Sequence, residues 1–320
     1  MIRALTLTIL LAAVMPVAGV WAQGFPERPI RFIVPFPPGG GTDAFARVIS
    51  AKMTETLGQQ IIIDNRGGAQ GNIGTALGAK AAPDGHTLTL AFVGTLAINP
   101  HLYKNPGFDT LRDFTAISRG TDENWLLVVH HSLPVKTAKE LAALAAKSPG
   151  TLSFASPSSA GQLLAELFKL ITKTNMINVP YKGSGPATTD LVAGNVQVMF
   201  PNPTGPLPHI RTGRLRALMV LGPKRIDELP DIETAAEAGY PELNLTGWYG
   251  VVVPSATPRA VVHKLNAAVV GALRSPDSIK RLRGAGQHPS PSTTDEFNAQ
   301  IRADIERWGK VVKTTGTKVD

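Results

Sequence analysis

Two short segments have the composition of an anion-binding surface. The first is Pro35-Phe36-Pro37-Pro38-Gly39-Gly40-Gly41-Thr42-Asp43, which joins an apolar run to a helical pattern. Its three glycines strip side chains from the backbone, so a ligand can approach the amide N–H groups. The N–H groups of a helix start have no intrahelical partner and carry a partial positive charge, which suits an anion. Thr42 or Asp43 is the expected cap of that helix, and Pro38 and Asp43 are expected ligand contacts with the rest of the loop. No Gly-Lys-Ser/Thr follows, so this is not a nucleotide P-loop. A Gly/Pro turn that only reverses the chain is the competing reading. The glycine count and the position at a strand's carboxyl end favour binding. The second segment is Ser156-Pro157-Ser158-Ser159-Ala160-Gly161, again between a strand and a helix. Its hydroxyls and amides can hold a carboxylate from the opposite side, or simply cap a helix.

Three further segments follow strands. Gly67–Gly74 (GGAQGNIG) echoes a dinucleotide fingerprint only loosely, lacks the acidic ribose partner, and reads as a close-packed helix entry. Gly94-Thr95 opens a turn after the third strand, and Pro201-Asn202 follows a strand of the second half. Trp125 and Trp248 stand where the chain is expected to pass between halves. Either packs a hinge or walls a cleft.

Enzyme chemistry finds no support in the residue pattern. Cysteine is absent, which removes disulfides, thiolate metal sites and Cys nucleophiles. The seven histidines are dispersed, with no His-Glu-x-x-His and no Gly-x-Ser-x-Gly. His130 and His131 are adjacent in a strand and are expected to face opposite ways, so they cannot share a metal. No catalytic residue, metal or cofactor is assigned. The formal net charge of +8 is spread over scattered Lys and Arg with few aromatics. That pattern lacks the basic stripe of a nucleic-acid binder and suits small anionic solutes.

The elements that must position these segments alternate. Strand-like runs at 30–36, 60–64 and 87–93 flank helical patterns at 44–57 and 72–82. Such a βαβαβ order implies a mostly parallel α/β sheet with helices on both faces. The pattern resumes with strands at 126–130, 151–155, 177–180, 196–200, 215–221 and 248–253. Helices fall at 161–171, 187–193 and 207–212, with one starting at Thr257-Pro258. Capping boxes at Thr137-x-x-Glu140 and Thr293-x-x-Glu296 open two more. No low-complexity linker occurs, so two lobes sharing crossing strands are expected. Residues 23–125 plus 254–320 would form lobe 1 and 131–247 lobe 2. Hinge strands are placed near 126–130 and 248–253, with a ligand cleft between the lobes.

The N-terminus reads as an export signal. Arg3 is the only charge before Glu27, an apolar stretch runs from Ala4 to Val20, and Val20-Trp21-Ala22 suits cleavage after Ala22. Pro16 and Gly19 break the stretch, which argues against an anchor. No cysteine follows for lipidation. The expected location is the periplasm.

Taken together, the phrases IRFIVPFPPGGGTD, NRGGAQGNIG, AAPDGHTL, AINPHLYK, NVPYKGSGPATTDLVAGNVQVMF, LPHIRTGRLRAL, GWYGVVVP and ERWGKVV resemble the Bug family, the substrate-binding receptors of tripartite tricarboxylate transporters. The resemblance spans residues 25–315. It implies a two-lobed periplasmic-binding-protein fold of the type with two crossing strands. It implies a carboxylate captured by lobe closure and delivered to the large and small membrane subunits of a transporter, or to a sensor protein, by a monomer. Carried over by position, Phe36, Gly39, Gly40, Thr42 and the Gly94-Thr95 turn would contact the ligand from lobe 1. Ser156, Ser158, Ser159 and Asn202 would do so from lobe 2. The family commonly has Asp-Asn where this chain has Pro201-Asn202, and the lost carboxylate argues against an amino-acid ligand. A dicarboxylate or an aromatic carboxylate is favoured. The loop after Ala155 is one residue shorter and less glycine-rich than the family pattern. A hydrolase on the same fold, with a nucleophile and base in the cleft, is the alternative; a ligand-free interaction module is a third reading.

Overall fold

Apolar residues at both parities of Ile30–Val34 put side chains on two faces, and both faces are covered: Ile30, Phe32, Ile33 and Val34 are wholly buried. This strand, β1, nucleates the larger of two sheets in a computed structural model that describes residues 24–318. The export signal and its cleavage after Ala22 lie outside the described residues. In chain order the other strands are β2 (Ile61–Asn65), β3 (Thr87–Phe92), β4 (Phe114–Glu123), β5 (Trp125–His130), β6 (Ser153–Ser156), β7 (Ile177–Pro180), β8 (Val198–Met199), β9 (Leu215–Leu221), β10 (Gly247–Pro254) and β11 (His288–Pro289).

The larger sheet runs β11-β4-β10-β3-β1-β2 and the smaller β7-β6-β8-β5-β9. Pairing is parallel at β1–β2, β1–β3, β6–β7 and β6–β8, but β10 lies antiparallel to both β3 and β4. Likewise β5 is antiparallel to β8 and β9. Each sheet is therefore a parallel core extended by antiparallel strands: the larger takes β10 and β11 from late in the chain, while the smaller is built from the consecutive strands β5–β9. The expected crossing segments each sit in one sheet: Leu126–His130 in the smaller and Trp248–Val253 in the larger. The chain passes between the sheets at Asn124, which alone separates β4 from β5, and again between Leu221 and Gly247.

Two differences from the sequence reading have clear causes. No element was expected at 114–123, where the structure has the ten-residue β4. Gly120, Asp122 and Glu123 are weak strand formers, and pairing with β10 and β11 overrides them. The turn expected at Gly94 is a short helical coil, Gly94–Ile98, that runs into helix Asn99–Leu102. The long C-terminal helix Thr294–Thr315 starts on the expected capping box, with Thr293 accepting from Glu296 N and Glu296 reaching back to Thr293 N. It covers the larger sheet and buries Phe297, Ile301 and Trp308.

Trp248 is packed by this helix and does not wall a cleft. Its ring meets Phe297 edge-on at 4.9 Å and its indole N–H donates to Asp304 at 2.7 Å. Because neighbouring strand residues point to opposite faces, Tyr249 takes the side that Trp248 does not. The two histidines also depart from expectation. β5 ends at His130, His131 lies in the following turn, and their rings sit 4.3 Å apart on one side. Among the described residues no group of three or more His, Asp or Glu is placed to hold a metal.

Candidate functional site

Three helix amino termini meet at one cavity between the sheets. Helix Gly41–Leu57 follows β1, helix Ser159–Thr172 follows β6, and helix Ser184–Ala193 follows β7. Gly40, Gly41 and Thr42 from the first, Pro157 and Ser158 from the second, and Ser184 from the third line the cavity. Its remaining walls are Phe36, Pro37, Phe92, Trp125, Phe200, Pro201, Asn202 and Tyr249. Its volume is about 20 Å³, room for roughly one water. A ligand of several heavy atoms therefore enters only when the lobes part.

The first helix start is held in place by its own loop. Gly39 has φ +88°, which favours glycine, and the helix is capped by Gly40 with no side-chain bond. Neither Thr42 nor Asp43 is the cap, because the helix begins at Gly41, three residues earlier than expected. Asp43 instead reaches back: its carboxylate accepts from Gly39 N at 3.2 Å, Arg47 Nε at 2.9 Å and Asn65 Nδ2 at 3.2 Å. Burial pushes its pKa up, but the bonds from Arg47, Gly39 and Asn65 outweigh that and hold it below the usual value. Asn65 also donates to Phe36 O at 2.9 Å, pinning the loop from β2. Asp43 thus shapes the loop and is spent on it.

The facing loop is closer to expectation. Ser158 caps its helix, accepting from Gly161 N at 3.3 Å, and still lines the cavity. Ser156 and Ser159 are wholly buried beside it; Ser156 points to Val179 O at 3.5 Å, and Ser159 Oγ has no partner. Ser159 lies against Gly94, where a Cβ would come within 2.9 Å of its oxygen. Gly94 therefore supplies close approach between lobes. Thr95 donates to Phe92 O at 3.0 Å and is buried outside the cavity wall. Pro38 O lies 3.4 Å from the Cβ position of Gly185, again across the lobes, and neither Pro38 nor Gly39 is part of the wall.

Of the expected site residues, Phe36, Gly40, Thr42, Trp125, Ser158 and Asn202 are brought to the wall together. Sequence reasoning missed Gly41, Phe92, Ser184, Phe200 and Tyr249 as wall residues, and the three glutamines that join the lobes. Gln70 Nε2 donates to Gln162 Oε1 at 2.7 Å. Gln70 holds φ +50°, a left-handed position uncommon for a side-chain-bearing residue. Gln287 Nε2 donates to Gly41 O at 2.8 Å and to Thr204 Oγ1 at 3.2 Å. The strand alternation at Trp248-Tyr249 was the one available signal for Tyr249, and it could not say which of the pair faces inward. Among the described residues no Lys, Arg or His lines the cavity. The polar floor is the Tyr249 hydroxyl, bonded to the Asn202 amide, with the Glu123 carboxyl beside it.

Comparison with known proteins gives a consistent result. The family model described as tripartite tricarboxylate transporter family receptor matches residues 45–317. Protein BugT of Bordetella pertussis is 38% identical over 305 residues, covering 94% of each chain. A solved structure described as a periplasmic transporter is 40% identical, with a TM-score of 0.90 over 92% of this chain and all of its own. An R. palustris protein solved with adipate is 36% identical, with a TM-score of 0.88 over 91% of this chain and 98% of its own.

Proposed function

Since the chain belongs to the tripartite tricarboxylate transporter receptor family, we propose that it captures a small organic carboxylate in the periplasm by closing its lobes on the cavity. The convergence of three helix amino termini on a wall without cations carries this reading. Each helix start offers N–H groups with no intrahelical partner and favours an anion by about 0.3–1 kcal/mol, more when partly buried. Charge-assisted hydrogen bonds add about 1.5–3 kcal/mol each. The carboxylate sits at the Gly40–Thr42 helix start, and Ser158 and Ser184 close over it. Phe36, Phe92, Trp125 and Phe200 then surround the ligand body, which favours an aromatic or aliphatic carboxylate over an amino acid.

Lobe 1 carries the larger sheet and lobe 2 the smaller, and they turn about the two places where the chain passes between the sheets, Asn124 and the stretch from Leu221 to Gly247. The ligand shifts this equilibrium only by its preference for the closed form. The receptor, released from its export signal after Ala22, works as a monomer. Its closed surface is read by the membrane subunits of the transporter, and a sensor protein would read the same surface. Calorimetry with benzoate, 4-hydroxybenzoate, adipate, malate and citrate tests the reading. One or more should bind with one-to-one stoichiometry; failure of all five overturns it.

A further inference from the structure

Helix Pro276–Gly284 leads into β11 through a turn whose three residues each meet the opposite lobe. The helix ends on two backbone bonds, Gly286 N to Arg283 O at 2.8 Å and Gln287 N to Leu282 O at 2.9 Å. This paired ending needs a left-handed residue, and Gly286 supplies it with φ +72°. Its missing side chain matters too: a Cβ there would lie 2.6 Å from the Pro203 Cβ, on the loop after β8. Gln287 follows and is wholly buried. Its amide nitrogen donates to Gly41 O at 2.8 Å and to Thr204 Oγ1 at 3.2 Å. His288 comes next, with Nε2 3.8 Å from a carboxyl oxygen of Glu228. Glu228 belongs to lobe 2, because Ile226, Leu229 and Ile232 around it pack on that lobe's core.

The two bonds of Gln287 end on opposite walls of the cavity. Gly41 opens the helix whose start faces the cavity from lobe 1. Thr204 stands two residues after Asn202, on the loop that brings Pro201 and Asn202 to the facing wall. Pro201 and Pro203 have no N–H, so the backbone of this loop is tied through its carbonyls, to Leu126 N at 2.8 Å and Leu207 N at 2.9 Å. Among the described residues its side-chain hydrogen bonds are Asn202 to Tyr249 and Thr204 to Gln287. Both run to lobe 1. We propose that Gln287 is a positioning residue for capture: its amide holds the Asn202 loop against the Gly41 helix start, at the separation that grips a bound carboxylate. This rests on the capture reading.

The chemistry of the side chain supports this role. An amide nitrogen carries two hydrogens, so one Gln287 serves Gly41 O and Thr204 Oγ1 at once. The Gln287 carbonyl oxygen is buried with no partner among the described residues. A buried polar atom left unbonded is costly, so an apolar side chain would serve stability alone as well or better. What an apolar side chain cannot do is bond both walls. Gln287 is not itself part of the cavity wall, so it acts through Gly41 and the Asn202 loop. Its neighbours seat it: Gly286 lies against Pro203, and His288 pairs with Asp122 of β4 in the larger sheet while facing Glu228.

The test removes the acceptor and the donor in turn. Thr204→Val keeps the shape and loses the hydroxyl, Thr204→Ser keeps the hydroxyl, and Gln287→Met keeps the length and loses both N–H bonds. Calorimetry and stopped-flow use whichever of benzoate, 4-hydroxybenzoate, adipate, malate and citrate binds wild type. Thr204→Val should weaken affinity about 2- to 12-fold, the range for one hydrogen bond, through faster release. Thr204→Ser should stay within about twofold of wild type, a rescue that a role in packing alone would not give, since serine lacks the methyl group. Gln287→Met should lose at least as much affinity as Thr204→Val, and combining the two should lose no more than Gln287→Met alone. Should Gln287→Met fail to fold, the two Thr204 variants decide the matter. Affinity retained by Thr204→Val, or equal losses in Thr204→Val and Thr204→Ser, would overturn the proposal and leave capture standing. Absence of binding by every acid removes the capture reading and this proposal with it.

Discussion

Replacing Gly41 by alanine puts a methyl group into the closed cleft and nowhere else. A Cβ there would lie 2.8 Å from Asn202 Nδ2, 2.8 Å from the Tyr249 oxygen and 3.1 Å from Asn202 Oδ1. These are all below ordinary contact distances. Gly41 is the first residue of its helix and its φ is not positive, so alanine suits the backbone. Alanine is also the better helix former, by up to about 1 kcal/mol. The strain therefore falls mainly on the approach of Asn202, which stands on the opposite lobe after β8. Overpacking of this kind costs about 1–3 kcal/mol. Charged to the closed form, that lowers carboxylate affinity by about 5- to 150-fold. Tyr249 belongs to the same sheet as β1, so its share of the clash persists in the open form and offsets the helix gain. The melting temperature should accordingly move by only a few degrees. The assay is calorimetry with a carboxylate that binds wild type, beside thermal unfolding of the ligand-free protein. Adding Tyr249→Phe should relieve the open-form share and leave the affinity loss. Retention of wild-type affinity within twofold by a normally folded Gly41→Ala protein would refute the reasoning, because the cleft would then not close on Asn202 around its ligand.

Other expectations follow from individual contacts. Gln70→Ala or Gln162→Ala removes the inter-lobe bond and should speed ligand release about 2- to 12-fold, from a net worth of about 0.5–1.5 kcal/mol; stopped-flow should find the double variant no worse than either single one. Trp248→Phe strips the Asp304 carboxyl of its indole donor and should cost about 1–3 kcal/mol in urea unfolding with affinity unchanged. By contrast, Trp125 lines the cavity, so Trp125→Phe should abolish the ligand-induced fluorescence change while Trp248→Phe retains it. Asp43→Asn should destabilise the fold by about 1.5–3 kcal/mol at neutral pH through its charged hydrogen bonds. The Asp43 pKa is depressed in the folded state, so its contribution is present above the unfolded value and lost as pH falls through the folded one. The difference between the Asp43→Asn and wild-type unfolding curves should therefore shrink in acid. Glu123 has the opposite sign: its raised pKa gives stability that is full below the unfolded value and lost as pH rises. Glu123→Gln should lose less stability than wild type between mildly acidic and alkaline pH.

The sequence by itself determined the alternation of strands and helices, the capping box at Thr293, the lack of thiol chemistry and the open backbone of the Pro35–Asp43 loop. These are local: β1 reads as buried because apolar residues occupy both parities, and the helix entry reads as open because its glycines carry no side chains. Motif order over the whole chain also pointed to the receptor family. Tertiary structure alone decided which residues face the cavity. β4 exists because β10 and β11 pair with it, from more than 120 and 160 residues away in sequence, against the preferences of Gly120 and Asp122. The choice between Trp248 and Tyr249 is a question of strand parity relative to a helix that begins at Thr294. Asp43 looked like a ligand contact until Arg47, Asn65 and Gly39 were found to occupy it. Above all, the helix start at Gly41 meets those at Ser159 and Ser184, more than a hundred residues later, because the chain crosses from the larger sheet to the smaller and the two pack together. Spacing along the sequence carries no record of that meeting; it is set by sheet order and by the packing of one lobe on the other.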